Sequence, residues 1–392
     1  MKVIGLLSGT SLDGIDVAVA ELRLDGEVVE LVPISHGEHP YPADLKAELV
    51  AGPDSARALC RLDTRIGQAF AEVAVAQGPA DLVVSLGQTV FHWVEDGRCL
   101  GTLQLGQPAW IAEATGSPVV ADLRVRDVAA GGHGAPLAST LDALWLGDLA
   151  ASTGRPAVAL NIGGIANITV VAPGTAPIAY DTGPGNALLD AAVRELSGGL
   201  RERDTDGEMA RRGRSDPDLL AALLADPYYA APPPKSTGKE HFTLEYLHRQ
   251  TAGKPTMRAE DLLATLVDLT ARTIADQCLA HGAGTVVASG GGMRNPAIVA
   301  ALTRELGGVP VRTSDELGLP SDAKEAYLTA LLGFLTWCGV PANTPSATGA
   351  SGPRLLGSIT PGREPLRLPE PTTTTATRLR IAEHPGGTRA CP

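Results

Sequence analysis

Three short stretches of the chain combine residue types able to hold a phosphate. The first is Ser8-Gly9-Thr10-Ser11-Leu12-Asp13-Gly14, running on through Ile15 to Asp16. Its glycines let backbone amides converge on phosphate oxygens, and the hydroxyls of Thr10 and Ser11 can donate to them. Asp13 or Asp16 could hold a magnesium ion, through water, because magnesium keeps much of its hydration shell. The second stretch is Gly163-Gly164 with Asn167, and the third is Gly290-Gly291-Gly292. At the third, the missing side chains would let an adenine or ribose lie against the backbone. One glycine-rich turn is usually only a turn; three in a chain, each following an apolar strand, are far more specific. Asp181, in Tyr180-Asp181-Thr182-Gly183-Pro184-Gly185-Asn186, is the carboxylate that stands out. Fixed by a rigid Gly-Pro-Gly turn, it is placed to act as a general base. The same residue types suit a turn-forming or helix-capping aspartate, and spacing leaves both open. Thr89, Arg124, Arg126, Asp127 and Glu325 are further polar candidates. An arginine among them could hold a substrate carboxylate bidentately, or each could be a surface charge.

Other chemistries lack their residues. Gly238-Lys239 is followed by Glu240, without the strand that precedes a phosphate-binding GxxxxGK[ST] loop, and no GxGxxG opens a helix. His241 and His248 flank Glu245 without a third ligand and read as a solvated helical face. The five cysteines, Cys60, Cys99, Cys278, Cys338 and Cys391, form no CxxC pair, which disfavours a disulfide framework or a zinc ribbon. A formal net charge of −12 disfavours nucleic acid and anionic membrane as partners. The most membrane-like run, Ala326 to Ala342, is broken by Gly333, Gly339 and Pro341 and reads as a buried helix. The amino-terminal apolar run is short and meets Asp13 and Asp16 early, unlike a signal peptide. A cytoplasmic location is expected.

The elements that position these residues follow from hydrophobic patterning in a chain that is 44% hydrophobic. Residues 2–8 are a short apolar strand ending in the first glycine loop, and a second strand follows at Ile15, Val17 and Val19. Residues 45–78 carry helical spacing. Residues 81–85 read as a strand leading into a polar turn at 86–89, residues 106–115 as a helix and 117–120 as a strand. The second half repeats the opening: a strand at 157–162, the glycine turn at 163–167, and a returning strand at 168–171. Spacing alone leaves a duplicated domain and two unrelated hairpins equally open. Helices are expected at 187–196 and 259–281, a strand at 285–288, and a helix entered through Asn295-Pro296, with proline at its permissive first turn. The Thr/Pro-rich tail, 362–392, is expected to be poorly ordered.

Taken in order, GLLSGTSLDGIDVA, LGQTVFH, DLRVRDVAAGGHGAPL, LNIGGIANIT, DTGPGNALLDA, PPPKSTGKEHF, SGGGMRNP, KEAYLTALLG and PSATGA resemble the anhydro-N-acetylmuramic acid kinases, from residue 3 to about 361. That family belongs to the sugar-kinase, chaperone and actin ATPase superfamily. The resemblance implies an α/β fold of two domains on a duplicated RNase-H-like core, with an ATP cleft between them: residues 1–125, then 126–361, before the tail. It implies ATP and Mg2+ as cofactors, 1,6-anhydro-N-acetylmuramic acid as substrate, N-acetylmuramic acid 6-phosphate as product, a place in peptidoglycan recycling, and a homodimer. By motif, Gly9, Thr10, Ser11, Leu12, Asp13, Gly14, Ile15 and Asp16 match the first phosphate loop. Gly163 and Gly164 match the second, and Gly290, Gly291, Gly292 and Asn295 the nucleoside side. Asp181 matches the catalytic base, and Thr89, Arg126 and Glu325 resemble substrate contacts. Leu86, Leu123 and His133 depart from the family pattern, Leu86 by removing a polar group near the expected sugar pocket. The alternatives are an ordinary sugar kinase acting on a free hydroxyl, which water-oxygen labelling would exclude, and an actin-like ATPase switch, against which no separate peptide-binding domain is visible.

Overall fold

The computed structural model describes the chain except residues 10, 11, 13, 234, 239, 240, 254, 256, 371–373, 384–388, 391 and 392, and describes only the backbone of 389 and 390. In chain order the elements begin with β1 (Lys2–Ser8), β2 (Gly14–Asp25), β3 (Val28–Pro40), α1 (Ala43–Ala51), α2 (Ala56–Ala76), β4 (Leu82–Glu95), β5 (Arg98–Leu105), α3 (Pro108–Thr115), β6 (Val119–Ala121), α4 (Val125–Ala129) and α5 (Ala138–Thr153). They continue with β7 (Ala157–Ile162), β8 (Ile165–Val171), β9 (Ile178–Pro184), α6 (Ala187–Leu196), α7 (Pro217–Leu224), α8 (Pro227–Ala230), α9 (Leu244–Thr251), α10 (Ala259–Ala280), β10 (Thr285–Ser289), α11 (Pro296–Glu305) and β11 (Val311–Thr313). The chain closes with α12 (Lys324–Trp337), α13 (Pro345–Thr348), β12 (Ser358–Thr360), β13 (Arg378–Ile381) and β14 (Arg389–Ala390). Among the described residues no helix is long and apolar enough to cross a membrane.

The duplication left open by spacing is decided by topology. One sheet runs β3-β2-β1-β4-β6, the other β9-β8-β7-β10-β11. In each, three strands form an antiparallel meander, and two more join parallel to its first strand after helical crossovers. The central strands β1 and β7 have neighbours on both sides. They read as continuous apolar runs and are buried along nearly their whole length. Ile4, Leu6, Val17, Ile66 and Phe70 anchor the core of the first sheet. Leu160, Ile168, Leu189, Leu266 and Ile274 anchor that of the second.

The compact units divide the chain at other points than 125/126 and 361/362: Met1–Trp145 with Leu317–Pro392, and Leu146–Glu316. The carboxy-terminal return belongs to the first unit for physical reasons. Helix α12 packs on β1, β2 and β4, and its fully buried Tyr327 donates its hydroxyl to the Ser35 carbonyl at 3.1 Å. Strand β12 pairs with β6. Buried Asp127 holds α4 to this return: it accepts from the Asn343 amide at 2.7 Å and the Thr348 hydroxyl at 2.8 Å, and from the Gly134 amide at 2.8 Å.

Local differences have identifiable causes. The helical stretch expected at 45–78 is two helices, because Gly52, at φ 72°, ends α1 and Ser55 caps α2 by accepting from the Ala58 amide at 3.2 Å. Strand β4 does not turn at 86–89 but runs to Glu95, and the reversal falls at Asp96-Gly97, both at positive φ. Strand β3 and the hairpin arm β5 have no counterpart among the expected elements. The tail expected to be poorly ordered carries β13, parallel to β3 from Arg378↔Val28 to Ile381↔Leu31 with Leu379 buried, so it covers a sheet edge.

Candidate active site

Asp181 lies within β9, not in a turn: Gly183 and Pro184 continue the strand, and the reversal comes at Gly185-Asn186. A register shift between Ala166 and Asn167 places Asp181 opposite Asn167 of the second glycine stretch. The Asp181 amide donates to the Lys235 carbonyl at 3.1 Å, and its own carbonyl accepts from the Tyr228 hydroxyl at 2.7 Å. Its Oδ2 accepts from the Thr237 amide at 3.0 Å and the Ser236 hydroxyl at 3.1 Å. Its Oδ1 has no hydrogen bond among the described residues. Burial pushes the carboxyl above the usual range, and the Thr237 amide and Ser236 hydroxyl pull it back. Lys235 fixes this segment by donating to the carbonyls of Tyr228 and Tyr229, each at 3.0 Å. Tyr229 in turn stacks on Phe242 at 6.2 Å between centroids. Residues 235–237, just ahead of the Gly238-Lys239 pair that does not complete a phosphate loop, therefore clamp one oxygen of Asp181 and leave the other open. Proton acceptance from a nucleophile is the chemistry this arrangement offers.

The same unit brings the second and third glycine stretches together. Strands β7 and β10 are parallel neighbours, with Ser289 opposite Asn161, so the loops following them adjoin. The Gly163 and Gly164 carbonyls point back into the protein. Gly163 accepts from the Asn186 amide at 2.8 Å, and Gly164 from the amides of Gly185 and Ala187 at 2.9 and 3.0 Å. A Cβ on Gly185 would stand 2.3 Å from the Gly163 oxygen, so glycine is required at that approach. Gly290 has φ 89°, and a Cβ there would stand 2.4 Å from Asn161 Oδ1. Gly292 is packed on Ile162, whereas a Cβ on Gly291 would meet nothing within 4 Å. The third loop thus exposes bare backbone at Gly291 in front of the α11 amino terminus. Asn295 Oδ1 caps that helix, accepting from the Ala297 amide at 3.0 Å, so a ligand contact would fall to its amide group.

The first stretch and the expected sugar contacts belong to the other unit. Thr10, Ser11 and Asp13 lie outside the described residues. Gly9 accepts from the Leu12 amide at 3.2 Å, with Leu12 at φ 58°, and the Ser8 hydroxyl donates to the Gly14 carbonyl at 2.7 Å. The Ile15 side chain is packed in the core, which leaves a ligand only its backbone. Asp16 stands opposite Leu7, close enough to Tyr41 to add to its raised pKa; burial chiefly pushes that phenol up to about 12. Gln88 ties β4 to the loop, donating to the Gly9 carbonyl at 3.3 Å and accepting from the Tyr41 hydroxyl at 3.5 Å.

Thr89 accepts from Gln104 at 3.2 Å. Arg126 is exposed on α4, without a side-chain partner among the described residues. Its neighbour Arg124 is the more constrained cation. It donates to the Gly134 carbonyl at 2.7 Å, and its Nε is buried without a partner. Burial depresses its pKa and the Glu325 carboxylate opposes that shift. Glu325 is exposed in the first turn of α12. Burial, Arg124 and His133 in turn depress His92. Thus Arg124, Glu325, His92 and His133 share one electrostatic cluster. Leu123 is a core side chain, and Leu86 lines a cavity of the same unit. Among the described residues no three metal-binding side chains of the His, Cys, Asp or Glu type converge.

The Ser236-Thr237 clamp and the Gln88 tether were missed in the sequence. Only their place in PPPKSTGKEHF and LGQTVFH could have marked them.

A family model described as anhydro-N-acetylmuramic acid kinase matches residues 1–362. The chain is 58% identical to the anhydro-N-acetylmuramic acid kinase of Streptomyces coelicolor over 396 aligned positions, covering 98% of this chain and all of that one. It is 57% identical to the protein of the same description from Streptomyces avermitilis, covering 94% of this chain and 97% of that one. Among solved structures it is similar to the activator of 2-hydroxyisocaproyl-CoA dehydratase from Clostridium difficile with bound ADPNP. That similarity has a TM-score of 0.40 and 15% identity over 85% of this chain and 94% of the other.

Proposed function

The chain belongs to the anhydro-N-acetylmuramic acid kinase family, and from that premise we propose how its residues carry out the reaction. The protein is an ATP-using kinase of anhydro-N-acetylmuramic acid, a sugar of cell-wall recycling. In that sugar an internal acetal joins the anomeric carbon to the oxygen on carbon six. Asp181, ionised, accepts a proton from water through Oδ1 as the water oxygen bonds to the anomeric carbon. The bond from that carbon to the carbon-six oxygen breaks, and that oxygen takes the γ-phosphoryl group of ATP. The products are ADP and N-acetylmuramic acid 6-phosphate. The Thr237 amide and Ser236 hydroxyl hold Oδ2, favour the ionised form against the cost of burial, and aim Oδ1.

The three glycine stretches suit the nucleotide. Bare backbone at Gly291 and the tight approaches at Gly290 and Gly185 fit a cradle that tolerates no side chains. Gly9, Leu12 and Gly14, with Thr10, Ser11 and Asp13, form the first phosphate loop and Gly163 and Gly164 the second, while Gly290, Gly291, Gly292 and Asn295 take the nucleoside side. Asp16 suits a water-mediated magnesium site, since magnesium at phosphates needs only one or two carboxylates. Bound there, Mg2+ would neutralise charge on the transferring phosphoryl group. Thr89, Arg126 and Glu325 contact the sugar, and Arg124 supports them from its half-buried position beside Glu325.

The observation that carries this reading is the half-clamped, burial-raised carboxylate of Asp181. Turnover in 18O-labelled water, read by mass spectrometry, tests it. Label on the anomeric carbon and a gain of one phosphate plus one water are expected. Unlabelled sugar phosphate would overturn the hydrolytic step and return an ordinary sugar kinase.

A further inference from the structure

Ser236 and Thr237 hold Asp181 Oδ2 from a segment that belongs to no helix or strand. Whatever keeps so short a segment in place is part of how the base works. The candidate is the cation that precedes it. Lys235 is half-buried, burial lowers its pKa, and among the described residues no carboxylate pairs with it. Its ammonium instead donates to the carbonyls of Tyr228 and Tyr229, each at 3.0 Å, and lies 4.7 Å from the centroid of the Tyr228 ring. Those carbonyls belong to the last turn of α8, where a cation is favoured, and the aromatic face adds to its attraction.

The support that Lys235 grips is itself fixed to β9. The Tyr228 hydroxyl donates to the Asp181 carbonyl at 2.7 Å. The Tyr229 ring lies on Gly183, where a Cβ would stand 2.8 Å from its Cε1. The backbone of Lys235 makes the second attachment, its carbonyl accepting from the Asp181 amide at 3.1 Å. Main chain and side chain of one residue therefore hold the segment at two points, β9 on one side and α8 on the other. The two donors to Oδ2 follow it directly in sequence.

We propose that Lys235 is a positioning residue for the reaction: by pinning residues 235–237 to the end of α8, it presents the Ser236 hydroxyl and the Thr237 amide to Oδ2 and leaves Oδ1 free to take the proton. This rests on the reading of Asp181 as the general base. The acidity of that carboxyl is set by burial, the Thr237 amide and the Ser236 hydroxyl, so Lys235 acts on it through those two donors and not by its own charge.

The test is ADP release by the full-length protein with saturating ATP and limiting sugar, so that kcat/KM against pH reports the groups of the free enzyme. Lys235→Met keeps the apolar stem and removes the ammonium. Its acid limb should move to higher pH, because both donors to the carboxylate loosen and burial then prevails. On that limb kcat/KM should fall at least about tenfold, one pKa unit, which exceeds the loss from removing the Ser236 hydroxyl alone. The fall on the plateau should be smaller, and the KM for ATP unchanged. Adding Ser236→Ala to Lys235→Met should move the limb no further, since both act through one clamp. Lys235→Gln, whose shorter amide cannot reach as the ammonium does, should shift the limb the same way, and it carries the test if thermal melting shows Lys235→Met unfolded. An equal loss at every pH, a limb that Ser236→Ala moves and a folded Lys235 variant does not, or fully additive effects in the double variant would each overturn the proposal alone. A limb moved by none of the three substitutions would overturn the reading of Asp181 as the base, and this proposal with it.

Discussion

Ser236→Ala removes one of the two donors that favour the ionised form of Asp181. It removes the hydroxyl held 3.1 Å from Oδ2 and leaves the Thr237 amide at 3.0 Å. The hydroxyl stabilises the charged form, so its loss lets burial push the carboxyl further up. A general base works only when ionised, and its activity falls as pH drops through its pKa. The acid limb of the profile must therefore move to higher pH. A hydrogen bond to a charged group contributes about 1.5–3 kcal/mol; because Ser236 is exposed, water replaces part of it and ~1 kcal/mol remains. At 1.36 kcal/mol per tenfold, kcat/KM should fall roughly fivefold at each pH on the acid limb and stay unchanged on the plateau. The assay is ADP release against pH with saturating ATP. Ser236→Thr, which keeps a hydroxyl, should restore the wild-type profile. A uniform loss at all pH values, or an acid limb moved to lower pH, would refute the reasoning.

Asp181→Asn should lower turnover at least about 100-fold, within the range for loss of a positioned base, while calorimetry still shows ATP and sugar binding. Its melting temperature at neutral pH should hold or rise. A carboxyl whose pKa is raised in the folded state stabilises below its unfolded value and loses that contribution as pH rises through the folded one, so removing the buried charge is not destabilising. Gly185→Ala drives a methyl into the Gly163 carbonyl and should cost ~1–3 kcal/mol in denaturant unfolding, with a raised KM for ATP. Lys324 and Asp142 form an ion pair at 2.6 Å with both side chains nearly buried; Lys324→Met should cost ~3–5 kcal/mol by removing one partner of the pair, and adding Asp142→Leu should recover much of it. Truncation after Gly362 removes β13 from the β3 edge, so light scattering should show association at high concentration while turnover per folded molecule stays unchanged.

Much of the framework was legible in the sequence because it depends on local rules. Continuous apolar runs mark central strands, so β1, β7 and β10 stand out. Proline after a capping asparagine marks the start of α11, and the residues of α6 show the spacing of one buried face. The glycine stretches were legible because such backbone density after apolar strands is rare.

What tertiary structure decided depends on partners far apart in the chain. Whether two hairpins make a duplicated core is a matter of strand order, which hairpin spacing does not encode. Arg124 and Arg126 are equivalent in sequence, yet one is half-buried beside Glu325 and the other exposed, because α4 is pinned through Asp127 to residues more than two hundred positions away. The protonation of Asp181 was equally out of reach. The residue types in DTGPGN suit a turn, but β8 draws that segment into a strand, and burial, opposed by two donors from residues 236 and 237, sets its acidity. A pattern of residue types records which groups are available. Desolvation and hydrogen bonding act only between groups that folding has already brought together, so their outcome is settled by the packed chain.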